Sequence, residues 1–271
     1  MGKNRSTLAF FMEKTLPDLI ADELIARIFI GEFKAGYRLP AERGFAETLG
    51  VDRTSLRMAL RTLNRMRLVQ SVRGSGITVM DYHKCAGLDF LAAVFDIPQL
   101  ELGTKIKREG LEAFNGIIPG MMHELVKGSF DATMAVTLRD ILQKELNILD
   151  EGELTAERLD RLTVLHMELQ DFVLYQNGSS IVALMANSSK VMRKQVMREL
   201  LEHIDIRANV AFNQQMFMDI GSGKLPVADV VGYYHHYSAE YTKPLIDYYN
   251  NNPTQSRLLA SPLQSVLAKC S

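Results

Sequence analysis

The 271-residue sequence has no tryptophan, only two cysteines and no long apolar run. Without a stretch of about 18 apolar residues, a membrane-spanning helix is excluded. Cys85 and Cys270 stand outside any metal-ligand spacing. That excludes a zinc finger or ribbon and suits a reducing cytoplasm. The opening MGKNRSTLAFFMEKTL carries a short apolar patch cut off by Glu13 and Lys14, too short for a secretory core. MGKNRS fits an N-myristoylation pattern only loosely. Catalytic signatures are missing too: no nucleophile elbow, no paired carboxylates, no phosphate loop. GSGKLP at 221–226 lacks the P-loop spacing and the Ser/Thr after lysine. The chain is therefore not read as an enzyme, and no cofactor is expected.

The most informative absence is local. From Arg53 to Arg73 there are six arginines and no acidic residue, although the whole chain carries 31 Lys+Arg against 32 Asp+Glu. Residues 1–80 hold 13 basic and 8 acidic side chains, a net of +5, which leaves −6 for residues 81–271. A basic module joined to an acidic one accounts for the near-neutral total.

Around that stretch the pattern is specific. Residues 16–30 have helical apolar spacing. LPAERGFAETLG reads as a short helix with Pro40 before it and Gly50 at a left-handed C-terminal position. Asp52 is a good N-cap for the next helix, because its carboxylate can accept from free first-turn amides. Leu56, Leu60 and Leu63 share one face of that helix, and Arg53, Arg57 and Arg61 another. LVQSVRGSGITVM then gives a strand, a glycine turn and a second strand. Two helices with a tight turn and a two-stranded wing are a winged helix-turn-helix. Arg53, Thr54, Ser55 and Arg57 lie where a recognition helix meets base edges, and Arg73 at the wing tip, beside Gly74 and Gly76, could enter a minor groove. Duplex DNA is the expected partner.

After about residue 84 nearly everything to Tyr249 reads as amphipathic helix, in segments 86–96, 99–126, 130–148, 155–176, 179–201, 205–219 and 225–249. The expected architecture is mostly α: a winged helix over 1–80, an all-helical bundle over 81–250, and a polar tail over 251–271, read as either a flexible end or a short docking helix. Tyr234, Tyr237 and Tyr241 fall at i, i+3, i+7, a stripe that more often fills a core than lines a pocket.

The winged-helix stretch resembles the GntR family of bacterial transcription regulators through LP-x-ER, LGV-x-RT-x-LR and RGSG-x-x-V. The resemblance implies DNA contacts at Arg43, Arg53, Thr54, Ser55, Arg57, Arg73 and Gly74. Met58 departs from it, standing where the family usually has Glu. The all-helical remainder resembles the FadR group of that family. Some members hold a metal and a small carboxylate through D-x-x-[FL]-H and two later histidines. Here LTVLH supplies His166 but puts Leu162 in place of the Asp, and Asn213 replaces a histidine, while His236 matches the last. The expectation is therefore no metal, with His166 and His236 as the remnant pair. The acyl-CoA-responsive branch also lacks the metal. Against it Tyr234 and Ser238 keep the pocket residue type and Arg108 matches an arginine, while Arg193, His235 and Thr242 depart. The resemblance implies an effector site at Arg108, His166, Arg193, Asn213, Tyr234, His235, His236 and Ser238. It also implies a long-chain acyl-CoA or carboxylate effector, a homodimer on an inverted-repeat operator, and a cytoplasmic protein that joins the nucleoid when bound to DNA.

Overall fold

A computed structural model describes residues 14–72, 74, 76–130, 132–176 and 178–264. The chain divides into two compact units. One comprises residues 1–99 together with 258–271, and the other residues 100–257. The fold is mostly helical, and no helix among the described residues is long and apolar enough to cross a membrane.

In the first unit α1 (Leu16–Phe29) starts at Thr15, whose backbone amide donates to the Asp18 carboxylate at 3.0 Å, and Pro17 occupies the first turn where no amide is needed. Helices α2 (Glu42–Leu49) and α3 (Arg53–Arg65) form the helix-turn-helix. Between them Gly50 takes φ +67°, the left-handed backbone that ends α2. The Asp52 carboxylate caps α3 by accepting from the Ser55 amide at 2.9 Å. Leu56, Ala59, Leu60 and Leu63 of α3 turn inward, and α3 packs on the Ile20, Leu24 and Ile25 stripe of α1.

The wing is β1 (Val69–Val72) paired antiparallel with β2 (Gly76–Val79), Val69 opposite Val79 and Val72 opposite Gly76. The chain before α2 extends it. The Leu39 amide donates to the Ile77 carbonyl and the Val79 amide to the Tyr37 carbonyl, both at 2.9 Å, and Arg38 bridges Thr78. The two-stranded wing expected from sequence thus gains a third edge, because GYRL pairs as backbone whatever its side chains. Helices α4 (Tyr82–Cys85) and α5 (Leu88–Phe95) follow, and α5 lies against α1. Residues 258–264 return to this unit: Leu263 is 2% exposed, and the Ser261 hydroxyl donates at 2.5 Å to Glu23, whose side chain is buried.

The second unit opens with β3 (Leu100–Glu101) and closes at β4 (Arg257–Leu258). Between them run α6 (Thr104–Ser129), α7 (Ala132–Asp150), α8 (Ala156–Gln176), α9 (Ser180–Ser188), α10 (Lys190–Leu201), α11 (Ile206–Gly221) and α12 (Val227–Asn251). Helix α12 packs along α6, α11 on α7, and α8 against both α7 and α10. The predicted helix over 179–201 is two helices. Ser188 and Ser189 donate their hydroxyls to the Leu184 and Met185 carbonyls, and the chain breaks at Ser189 with φ −95°, ψ 1°. Such back-bonding competes with helix propagation. The predicted helix from 99 starts instead at Thr104, because Leu100 and Glu101 are extended.

Candidate functional site

The outer surface of α3 is built from the ends of two helices. Arg53, Thr54, Arg57, Met58 and Arg61 are exposed, Ser55 half-buried, and the four inward residues hold the helix flat on α1. Arg57 is held from α2: its Nη2 donates to Glu42 Oε2 at 2.8 Å and its Nε to the same oxygen at 3.2 Å. That pair orients the guanidinium and keeps its proton even more firmly than usual. The Ser55 contacts hold the Asp52 carboxyl below its ordinary value, so the cap stays ionised at neutral pH. Arg43 is exposed on α2, 3.2 Å from Glu47. Gly74 sits in the wing turn at φ +79°, with open space where a side chain would begin. Arg73 lies outside the described residues.

The helical unit encloses a cavity of about 40 Å³ between α8, α11 and α12. Its polar lining comes from His166 and Gln170 of α8, Asn209 and Asn213 of α11, and Tyr234, Tyr237, Ser238, Tyr241 and Thr242 of α12. Several are tied to one another. The Asn209 amide donates to the Tyr237 hydroxyl at 2.9 Å and the Asn213 amide to the Asn209 carbonyl at 2.9 Å, while Asn115 of α6 donates to the Thr242 hydroxyl at 2.6 Å. Behind His166 stands Glu145 of α7, 1% exposed, its Oε1 3.4 Å from His166 Nδ1. Neither Glu145 oxygen accepts a hydrogen bond from a described residue, nor do Gln170 Nε2 and the Tyr241 hydroxyl find partners there. Burial raises the phenols: Tyr237 is pushed up to about 12, with the Asn209 bond pulling the other way, and burial also lifts Tyr234 and Tyr241 well above the ordinary value.

Residues 17–79 match the family described as bacterial regulatory proteins, gntR family. This segment is similar to the winged helix of the GntR family. The chain is 32% identical over 140 residues to the HTH-type transcriptional regulator Mce2R of Mycobacterium tuberculosis, covering 52% of this chain and 56% of that protein. It is 34% identical over 82 residues to the fatty acid metabolism regulator protein of Shewanella baltica, covering 30% of this chain and 34% of the relative. The chain thus spans little more than half the length of the first curated relatives it matches. Among solved structures, the Lar protein that controls the Listeria monocytogenes agr system aligns at TM-score 0.49 and 16% identity, over 87% of this chain and 98% of that one. Streptococcus agalactiae GntR aligns at 0.41 and 19%, over 84% and 99%.

On the winged helix the structure brings Arg53, Thr54, Ser55 and Arg57 together at the first turns of α3, with Arg43 on α2. In the helical unit His166, Asn213, Tyr234 and Ser238 converge on the cavity, whereas Arg108, Arg193, His235 and His236 are not in its lining. Arg108 instead donates to Asn250 at 2.8 Å. Arg193 is buried against Gln170 and Asp171, at 3.0 and 2.7 Å. His235 and His236 are exposed on α12, on the side of the helix that also presents Tyr233, Ala239 and Glu240 to solvent. The remnant metal pair is therefore not assembled. Leu162 is core, Asn213 spends its amide on Asn209, and no group of three His, Cys, Asp or Glu among the described residues is placed to hold a metal ion. These residues do not fit a divalent cation. Sequence reading missed Glu145, Gln170 and Asn209, and it left Tyr237 and Tyr241 as a stripe without assigning them to the site. Glu145 did leave a signal: it falls in the apolar register of α7 with Leu138, Ile141, Leu142 and Ile148.

Proposed function

We propose that this chain is a DNA-binding transcription regulator. In this reading α3 enters the major groove of an operator, two copies read an inverted repeat, and the helical unit over 100–257 dimerises and holds a small effector. The observation that carries it is the outward face of α3, free of acid, capped by Asp52 and backed by a buried leucine ridge, within a GntR-family segment. A single winged helix covers few base pairs, so a dimer supplies the length a specific site needs. The effector reading rests on the polar cavity beside the unpartnered Glu145. At about 40 Å³ the cavity takes roughly three waters, far below the roughly 300–1,000 Å³ typical of drug-sized ligand pockets. The leading effector is accordingly a small polar molecule that exchanges hydrogen bonds with the unpartnered Gln170 Nε2 and Tyr241 hydroxyl of the lining. The long-chain acyl-CoA reading is favoured by the printed name of the Shewanella relative and requires α8, α11 and α12 to part.

The test has two arms. A duplex is selected from a random library and bound in a mobility-shift titration. Arg53→Ala and Arg57→Ala should each lose about 5- to 150-fold in affinity, and unchanged affinity in both overturns the recognition-helix assignment. Release is then measured with small amines, amides, carboxylates and acyl-CoAs, with and without chelator. Release by acyl-CoA alone selects the second reading, and release that needs added zinc or nickel refutes both.

A further inference from the structure

Met58 is the large apolar side chain that the recognition helix exposes, at 51%. Its place is not arbitrary. Thr54, Met58 and Arg61 fall at i, i+4 and i+7, one line along α3 directly opposite the buried Leu56, Ala59 and Leu63. That line is the part of the helix that projects furthest from the unit. Arg57, one residue earlier, is pulled toward α2 by Glu42, which leaves the central strip to Thr54 and Met58. The Thr62 hydroxyl bonds back to the Met58 carbonyl at 3.4 Å, so the neighbouring polar side chain is folded onto the helix.

An isolated exposed methionine on a surface needs no explanation. One on the crest of a helix otherwise lined by guanidinium and hydroxyl groups is different when that crest meets DNA. The major groove offers one apolar feature, the C5 methyl of thymine, and side-chain carbon is what reads it. A methionine side chain is unbranched and polarisable, so it can settle against a methyl without strict geometry. It also brings no negative charge toward the phosphates.

Resting on the DNA-binding reading above, we propose that Met58 is a specificity-determining residue that packs on a thymine methyl in each half-site. The methyl can be deleted from the DNA as well as the side chain from the protein. The selected operator is resynthesised with deoxyuridine replacing thymidine one position at a time, and each duplex is titrated with wild type, Met58→Ala and Met58→Leu. Wild type should lose about fourfold at one symmetry-related position per half-site, the worth of one buried methyl group. Met58→Ala should bind the intact operator about fourfold more weakly and be indifferent to uridine there, whereas Met58→Leu should keep the sensitivity. Circular dichroism should be unchanged, since the side chain is exposed. Equal uridine penalties in wild type and Met58→Ala at every position overturn the proposal while leaving DNA binding intact. If no duplex is enriched at all, the DNA-binding reading fails first, and that outcome is visible before any variant is made.

Discussion

Glu145 sets the sharpest test of the helical unit. Its carboxylate is 1% exposed, neither oxygen accepts a hydrogen bond from a described residue, and the nearest cationic candidate is His166 at 3.4 Å. With His166 protonated, the attraction at that distance is about 5 kcal/mol at an effective dielectric of about 20. Removing both ions from water costs several kcal/mol each, so the pair at best breaks even. With His166 neutral, the carboxylate has no countercharge and the balance is worse. Both cases give the same sign: Glu145→Leu, which fills the apolar register of α7, should stabilise the unit by about 1–4 kcal/mol. His166→Ala, which strips the partner and opens a hole, should destabilise it by about 3–5 kcal/mol. A domain of this size shifts by roughly 2–4 °C per kcal/mol. Glu145→Leu should therefore melt a few to some 15 °C higher, and His166→Ala lower by a comparable amount. The chain has no tryptophan, so tyrosine fluorescence is free to report on Tyr234, Tyr237 and Tyr241 beside the site. A lower melting temperature for Glu145→Leu would refute the reasoning and show that the carboxylate is satisfied in the folded state. A higher one, with loss of effector response, would mark Glu145 as a group kept for binding at the expense of stability.

Gly103→Ala should destabilise the helical unit by more than about 1 kcal/mol, since an added Cβ would lie 2.6 Å from the Thr254 carbonyl oxygen and 2.7 Å from the Ser256 nitrogen, backbone that has no rotamer to yield; an unshifted denaturant midpoint would count against this packing. The cavity phenols should resist titration: absorbance at 295 nm should show exposed tyrosines ionising near pH 10 while Tyr234, Tyr237 and Tyr241 stay protonated past pH 11. Because their folded values are raised, the stability they contribute is complete below about pH 10 and is lost as pH rises toward 12, so unfolding should become steep in that window, and a flat stability profile there would contradict it. Leu263→Ala should cost the first unit about 2–5 kcal/mol, read as increased amide exchange in α1, and exchange confined to the tail would show that residues 258–264 are not part of its core.

The winged helix was legible because its signals are local. Asp52 as cap, Gly50 as left-handed stop and the leucine repeat of α3 each act within one or two turns, so sequence and structure agree to the residue. The third wing edge at Gly36–Leu39 was not legible, because it is made of backbone hydrogen bonds to β2 that the side chains do not announce. The break at Ser189 was readable only in retrospect: two adjacent serines in an otherwise apolar-periodic run have hydroxyls that can compete for the carbonyls, but that competition is decided by packing. The tail was left open between a flexible end and a short docking helix for a related reason. Its described residues are attached at several points that composition does not announce: Thr254, Ser256 and Arg257 bond to Thr104, Gly103 and Glu101, and the Ser261 hydroxyl bonds to Glu23 while Leu263 is buried, all with partners far away in sequence.

The cavity divides along the same physical line. His166, Asn213, Tyr234 and Ser238 were found by resemblance, which already contains tertiary information. Arg108 and Arg193 come from the same resemblance, but as positions matched in sequence, with no geometry behind them. In the structure both guanidiniums are already committed, Arg193 to Asp171 at 2.7 Å and Arg108 to Asn250 at 2.8 Å. Arg193 donates through its Nη atoms to Gln170, Asp171 and the Ala186 carbonyl, while its Nε finds no partner among the described residues, and recruiting it to a ligand would take Asp171's buried partner away. Glu145 is the opposite case. A carboxylate on the apolar stripe of α7 is costly to keep, and the single sequence shows that cost as an acid among Leu138, Ile141, Leu142 and Ile148. What the sequence does not show is the partner, because His166 reaches it from another helix. The reading of an ionisable group in a helix therefore turns on one question, whether it breaks the apolar period. Arg193 and His166 also sit on inward faces, and Arg193 Nε and His166 Nδ1 likewise find no partner among the described residues. Arg193 keeps its other donors paired, whereas Glu145 goes without a hydrogen bond from the described residues on both oxygens of an acid that breaks the apolar period, and that marks it as the group to test for binding.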